Sequence, residues 1–186
     1  MNGKKNSIIA LTRYEGLMRE LAKAVTEDDA EPDVFAKMAG IMAPWIPDGS
    51  VVVPMPGRDG MPLWSHKLVK EIVKVNPRVY YAGDFLRCDV HGPRKGVGGT
   101  RGEPPRMWVD EGFIVSVESA PGATLLEVPK ADIFVIDNVV ASGGTACSAL
   151  RAVMDWQSRR VEASLYESGA VSCHVLALCR SSLRMV

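Results

Sequence analysis

The chain has 186 residues, a length typical of one globular domain. Hydrophobic residues make up 47% and charged residues 24%, so the chain can bury a sizeable core and is not a disordered tail. Its 22 Lys and Arg balance 22 Asp and Glu, which argues against a protein that wraps nucleic acid through an overall basic field. Any charged site must therefore be local.

Neither a membrane span nor a disulfide framework is predicted. The N-terminal residues lead into only a short apolar run, Ile8–Leu11, far below the roughly 20 residues that cross a bilayer. The cysteines form no C-x-x-C pair, so we predict buried, reduced thiols at Cys88, Cys147, Cys173 and Cys179. We expect a cytoplasmic protein with no membrane and no nucleic-acid partner.

The first 49 residues predict a helical pair. Thr12–Glu15 has capping-box spacing, and apolar residues then recur on one helical face from about Arg13 to Val25. After an acidic turn, Pro32 suits a first helical turn, and the same spacing continues to Met42. We predict that residues 1–49 form an N-terminal helical extension or hood.

Residues 50–186 predict an α/β core with a parallel sheet flanked by helices. Short apolar runs alternate with helical patterns, of which Leu63–Val75 is the clearest, and unbroken apolar strands are typical of a parallel sheet covered on both faces. The predicted strands are Ser50–Pro54, Arg78–Ala82, Phe113–Val117, Ile133–Ile136 and Cys173–Leu178. The connection Asp89–Arg106 is rich in glycine and cations, and a loop of this length is typically a lid or binding loop, although a solvated insertion is the alternative.

The segment Ile133–Thr145 carries the most chemistry. A buried strand delivers Asp137 to its carboxyl end, where open α/β sheets place ligands. The small residues Ala141–Thr145 then enter a helix, and their hydroxyls and backbone N–H groups can hold a phosphate dianion at its positive end. The spacing fits neither the ATP nor the dinucleotide glycine motif. We predict a monophosphate cradle, with an ordinary glycine-bearing turn as the alternative.

This segment resembles the phosphoribosyl-pyrophosphate-binding signature of type I phosphoribosyltransferases: four apolar residues, two acids, and a small-residue loop ending in Gly-Thr. The resemblance implies that Asp137 contacts ribose hydroxyls. It also implies that the loop formed by Ala141, Ser142, Gly143, Gly144 and Thr145 encloses the ribose 5-phosphate. Asn138 stands where the family usually has a second acid. An amide can still bind a ribose hydroxyl, but it removes a negative charge from beside a sugar that becomes oxocarbenium-like.

Two further segments extend the resemblance. Val51–Arg58 is similar to the family's pyrophosphate loop, which implies that Pro56, Gly57 and Arg58 face pyrophosphate. Taken alone, this proline-rich strand end is also compatible with a plain turn. The loop Gly92–Arg106 occupies the place of the family's flexible catalytic loop, which implies that Arg94 and Lys95 close over the pyrophosphate, with Arg101 in reserve.

The resemblance implies an enzyme that transfers phosphoribosyl from 5-phosphoribosyl-1-pyrophosphate to a nitrogen acceptor, a nucleobase or an amine, and releases pyrophosphate. Mg²⁺ would bridge substrate oxygens, with Asp137 as a protein ligand in reach. The alternative is a non-catalytic binding module of this family, regulatory or associated with DNA uptake, which Asn138 favours. A nucleotide hydrolase is disfavoured because no G-x-S-x-G or D-x-D motif is present. A homodimer is compatible with the sequence, which does not determine the acceptor.

Overall fold

A computed structural model of the chain describes residues 6–26, 30–57, 60–89, 104–110, 131–162 and 172–181. The strands within them are β1 (Ser7–Arg13), β2 (Val51–Pro54), β3 (Tyr80–Tyr81), β4 (Leu86–Cys88), β5 (Met107–Val109), β6 (Ile133–Val140) and β7 (Cys173–Arg180). The helices are α1 (Gly16–Ala24), α2 (Pro32–Met42), α3 (Leu63–Val75) and α4 (Gly144–Glu162), and a 3₁₀ turn at Ala43–Trp45 follows α2.

The main sheet has five strands in the order β1-β7-β6-β2-β3, and every neighbouring pair is parallel. Strands β4 and β5 form a separate antiparallel pair. The prediction of an α/β domain with a parallel sheet flanked by helices is thereby confirmed. The central strands are apolar runs because helices cover both of their faces.

Two apolar layers hold the sheet. On one face, α4 packs through residues such as Ala149, Val153 and Trp156 against Val135 and Val175. On the other face, α1, α2 and α3 pack over alternate residues of the same strands, with these fully buried side chains at the centre: Met38, Met42, Leu68, Ile72, Ile136 and Leu178. The carboxyl ends of the strands therefore meet at one edge, between the two layers.

The N-terminal segment differs from the predicted hood. Its apolar run belongs to strand β1, which pairs with β7 from Ser7 opposite His174 to Arg13 opposite Arg180. Helices α1 and α2 pack on the sheet together with α3, and the division of the chain at residue 50 stays a prediction. The run was not predicted as a strand because a short apolar stretch has no distinguishing periodicity, and its partner lies more than 160 residues away in the chain.

Some boundaries of helices and strands agree with the predictions from the sequence, and others do not. Helix α3 begins and ends where predicted, and Pro32 opens α2. The predicted capping box is wrong, because Thr12 lies in β1 and its hydroxyl donates to the Leu178 carbonyl at 2.9 Å. Leu63 was expected inside and is 62% exposed. The predicted strand Phe113–Val117 lies outside the described residues.

The cysteines are free thiols, and Cys88, Cys173 and Cys179 are buried as predicted, whereas Cys147 is exposed. Burial raises the pKa of the Cys173 thiol to about 12. No helix among the described residues is long and apolar enough to cross a membrane.

Candidate functional site

Two of the predicted segments lie side by side at the carboxyl edge of the sheet. Strands β2 and β6 pair in parallel with Pro54 opposite Ile136, and the Met55 N–H donates to the Ile136 carbonyl at 3.0 Å. After Met55 the chain continues from β2 into Pro56–Gly57, and in β6 the residue after Ile136 is Asp137. The structure therefore brings together two segments that are separated by some 80 residues in the sequence.

Asp137 lies at this edge with 8% of its surface exposed. One carboxylate oxygen accepts the backbone N–H of Asn138 at 2.8 Å. In register, Asp137 lies opposite Ala177, whose side chain belongs to the apolar layer beneath α4. The carboxylate therefore lies on the same face of the sheet as α4, the helix that follows β6.

Asn138 has a structural partner that its sequence position did not reveal. Its Nδ2 donates to the Ala22 carbonyl at 2.7 Å. Ala22 lies in the last turn of α1, and the next available donor, the Thr26 N–H, bonds to Lys23 instead. The carbonyls of a last helical turn lack intrahelical donors, so Asn138 caps this helix from the sheet. One amide hydrogen and Oδ1 are left for a ligand.

The cap gives a physical reason for an amide at position 138. A carboxylate there would face the Ala22 carbonyl without a hydrogen to donate. It would also lie at the negative end of the α1 dipole. The hydrogen bond joins residues that are 116 positions apart. The sequence therefore shows that an amide replaces the second acid of the resembled family, but it does not show why.

The loop Ala141–Gly143 leads from β6 into α4. The Cys147 N–H donates to the Gly143 carbonyl at 2.8 Å, so the N–H groups of Gly144 and Thr145 precede the first bond of the helix. Gly143 has a φ of +77°, a conformation that favours glycine, and a Cβ placed there would meet no atom within 4 Å. Ala141 and Ser142 are exposed, and the first turn of α4 has no acid. This end of the site offers N–H donors at the positive end of a 19-residue helix.

The loop after β2 is built differently, because the backbone N–H and C=O groups of Met55 and Gly57 already have partners. Ser65, fully buried on α3, donates through Oγ to the Met55 carbonyl at 2.6 Å. The Cys88 thiol donates to the Gly57 carbonyl at 3.3 Å, and the Gly57 N–H donates to Met61 at 2.9 Å. Pro56 has no N–H. Of the donors expected in a pyrophosphate loop, Pro56 therefore offers none and the Gly57 N–H is already used within the fold, while Arg58 lies outside the described residues.

Ser65 and Cys88 are the anchors of this loop that sequence reasoning missed. Cys88 was assigned only a packing role, and Ser65 carried no recognisable signal. Cys88 ends β4, where it lies opposite Met107 of β5, and the Asp89 N–H donates to the Arg106 carbonyl at 3.2 Å. The two ends of the connection Asp89–Arg106, which contains the predicted catalytic loop, are thus joined beside Gly57. Arg94 and Lys95 themselves lie outside the described residues.

A half-buried Tyr–His pair joins the carboxyl end of β3 to helix α3. The Tyr81 hydroxyl and His66 Nδ1 are hydrogen-bonded, and their rings meet edge to face. Burial, and then the nearby Lys70 charge, lower the pKa of His66, while burial raises the pKa of Tyr81. Gly83 leaves room for the pair, since a Cβ there would lie 2.5 Å from the Tyr81 hydroxyl. His66 therefore serves as a structural partner of Tyr81.

Sequence comparisons identify no relative of this chain. No family model matches the chain, and no curated protein has a matching sequence. Its function must therefore be argued from the residues at the carboxyl edge of the sheet and from their geometry.

Proposed function

We propose that the chain is a phosphoribosyltransferase, which takes 5-phosphoribosyl-1-pyrophosphate with Mg²⁺ and transfers phosphoribosyl to a nitrogen acceptor. One observation carries the proposal: pairing of β2 with β6 sets the Pro56–Gly57 loop beside Asp137 and the loop that opens α4. The type I phosphoribosyltransferase signature has the same order of a strand, a carboxylate and a phosphate loop. The parallel sheet with helices on both faces is compatible with that fold.

The loop Ala141–Thr145 is suited to the ribose 5-phosphate. Backbone N–H groups before the first helical bond can donate to phosphate oxygens, and the Ser142 and Thr145 hydroxyls add further donors. The helix dipole favours a dianion at this end, and the first turn of α4 carries no acid to oppose it. Gly143 allows the sharp entry into the helix because its φ is positive.

Asp137 is suited to the ribose. Its carboxylate accepts hydrogen bonds from sugar hydroxyls, and its charge stabilises the positive character that the ring gains as the leaving group departs. In the reaction, the C1–O bond breaks with its electron pair retained by pyrophosphate. The lone pair of the acceptor nitrogen forms the new C1–N bond, and the acceptor N–H proton passes to water.

The residues at this edge fit a substrate-borne Mg²⁺. The described residues contain no group of three or more metal-ligating side chains. Mg²⁺ commonly takes one or two carboxylates with substrate phosphates and water, so Asp137 would suffice as the protein's contribution. When bound, the metal neutralises charge on the leaving pyrophosphate. Arg58, Arg94 and Lys95 are proposed to add cationic charge to the same group.

Thermal unfolding with and without ligand tests the proposal. A ligand specific to the folded state raises its stability, so millimolar phosphoribosyl pyrophosphate with Mg²⁺ should raise the unfolding midpoint. Asp137→Asn should abolish the rise, since it removes the negative charge and keeps one oxygen that can accept the Asn138 N–H. Asp155→Asn, an exposed acid on α4, is the matched control. No shift of the wild-type protein would refute the proposal.

The second candidate is a binding module that holds the sugar phosphate without turnover. The Asn138 cap and the occupied Gly57 N–H favour it, because both reduce the groups available to the ribose and the pyrophosphate. Pyrophosphate release, measured with a panel of nucleobases and amines, separates the candidates. Ligand-induced stabilisation without release across the panel would favour the module.

A further inference from the structure

Two arginines lie next to each other at the carboxyl edge of the sheet. Strand β7 runs between β6 and β1, and register aligns Val140, Arg180 and Arg13 in one row across these strands. The Ser181 N–H donates to the Val140 carbonyl and the Tyr14 N–H to the Arg180 carbonyl, each at 3.0 Å. Backbone bonds on both sides therefore fix the relative position of the arginines.

The described residues supply neither arginine with an ion-pair partner. Both side chains are exposed, and the ion pairs of the described segments involve other cations, Lys37, Lys74, Arg78 and Arg87. Neighbouring strands lie about 4.8 Å apart, and like charges directly opposite each other are destabilising. An anion between the two guanidinium groups would remove that repulsion.

The row includes the last residue of β6, next to the loop that opens α4. Val140 is 7% exposed and packs with Ala146 and Ala149 in the layer beneath α4. Arg180 and Arg13 continue this row on the next two strands, β7 and β1. Val140 also immediately precedes the loop Ala141–Thr145. The arginines therefore lie one and two strands away from the end of β6, where the loop that opens α4 begins.

The strand order assigns the arginines to one side of the proposed reaction. The Pro56–Gly57 loop follows β2 on one side of β6, and the arginines end β7 and β1 on the other side. Displacement at C1 requires the entering nitrogen and the departing pyrophosphate to be on opposite sides of that carbon. With pyrophosphate on the β2 side of Asp137, the acceptor approaches from the β7 side.

We propose that Arg13 and Arg180 bind a carboxylate on the nitrogen acceptor, so that the substrate is an acid rather than a neutral nucleobase. This inference rests on the proposed function and specifies its acceptor. The guanidinium fork matches a carboxylate through two parallel N–H···O bonds, and two adjacent forks can bind one carboxylate from both sides. A neutral carboxamide of the same shape offers one acceptor oxygen and no charge.

Matched acid and amide pairs test the proposal. The probes are benzoate, pyridine-3-carboxylate and pyrimidine-4-carboxylate, each beside its carboxamide, titrated calorimetrically with and without saturating ribose 5-phosphate. The wild-type protein should bind at least one acid about tenfold more tightly than its amide, as expected for charge-assisted bonds. Arg13→Gln and Arg180→Gln should each remove most of this preference. Arg159→Gln, an exposed cation in the last turn of α4, should keep it.

Two controls separate this site from other roles of the arginines. Ribose 5-phosphate should bind both variants about as tightly as it binds the wild type, and equal loss of sugar phosphate and acid would overturn the proposal in favour of a phosphate contact. The double variant should unfold at the wild-type temperature or above, because it removes like-charge repulsion. A lower midpoint would indicate a structural role and would also overturn the proposal.

The failure of each proposal gives a different result. A wild-type protein that shows no preference between acids and amides overturns the arginine site, even where phosphoribosyl pyrophosphate binds. Acid preference without any binding of phosphoribosyl pyrophosphate would refute the proposed transferase and leave the carboxylate site supported.

Discussion

The two loops at the carboxyl edge of the sheet differ in what their backbones offer a ligand. The loop that opens α4 presents N–H groups that precede the first helical bond, around a glycine with positive φ. In the loop after β2, the N–H and C=O groups of Met55 and Gly57 are bonded to Ile136, Ser65, Cys88 and Met61. The loop that opens α4 therefore has N–H groups that can bind an anion, whereas the backbone groups of the loop after β2 are bonded to neighbouring residues.

Because of this difference, binding at the loop after β2 costs more free energy than binding at the loop that opens α4. A phosphate at Ala141–Thr145 replaces only water, while an oxygen bound by the Gly57 N–H must first displace the Met61 carbonyl. Replacing one hydrogen bond by another changes the free energy little, whereas leaving a buried donor or acceptor without a partner is costly. We therefore expect the sugar phosphate to bind more readily than pyrophosphate. The following predictions test this contrast, from the largest effect to the smallest.

Asn138→Asp should destabilise the protein most, although it introduces the acid that the resembled family carries. The carboxylate would face the Ala22 carbonyl at the negative end of α1, and we expect a loss of about 3 kcal/mol in the free energy of unfolding. Asn138→Ala, which only removes the cap, should lose about 1 kcal/mol. Urea denaturation measures both. A variant Asn138→Asp as stable as the wild type would show that the cap is not needed.

Ser65→Ala should weaken the anchored loop. It leaves the buried Met55 carbonyl without its donor, and the expected loss is about 2 kcal/mol. Pyrophosphate affinity should change more than ribose 5-phosphate affinity, because Met55 belongs to the loop after β2. Ser158→Ala, at an exposed position on α4, is the control for stability. Equal changes in both affinities would contradict the division of the site into two loops.

Gly143→Ala should destabilise by about 1 kcal/mol, because its φ of +77° is unfavourable for a residue with a Cβ. A Cβ there meets no neighbouring atom, so the effect is one of backbone conformation. Gly40→Ala is the matched control: Gly40 lies within α2 with equal free space and should gain about 0.5–1 kcal/mol. Opposite signs in denaturant unfolding are expected, and a gain at both positions would be evidence against a strained phosphate loop.

Acidification should cause the smallest loss, through His66 at the anchored loop. Its pKa is lower in the folded state than the unfolded value of about 6.5, so the unfolded state binds more protons below that pH. Stability should therefore fall as the pH drops from 7 to 5, and the fall should be smaller in His66→Gln. His174, whose pKa burial also lowers, contributes in the same direction at the opposite end of the sheet. An unchanged slope in His66→Gln would contradict the assignment.

The site could be predicted where its signal is local. Asp137, the loop Ala141–Thr145 and Pro56–Gly57 were recognisable from residue types in order, since a strand, small residues and a helix start lie next to one another. The Asn138 cap, the Ser65 anchor and the Gly57–Met61 bond could not be predicted, because each depends on how a side chain or loop meets another element. The aligned arginines were hidden for the same reason, since β1 was not recognised as a strand.

The sequence by itself determined the α/β class, the bounds of α3 and the small-residue loop at the start of α4, because periodicity, proline and glycine act on near neighbours. The tertiary structure decided the strand order β1-β7-β6-β2-β3 and so which side chains share an edge. Strand order depends on pairing between segments as distant as Ser7 and His174, and a short apolar run carries no information about its partner. That pairing sets Asp137 between the loop after β2 and the two arginines.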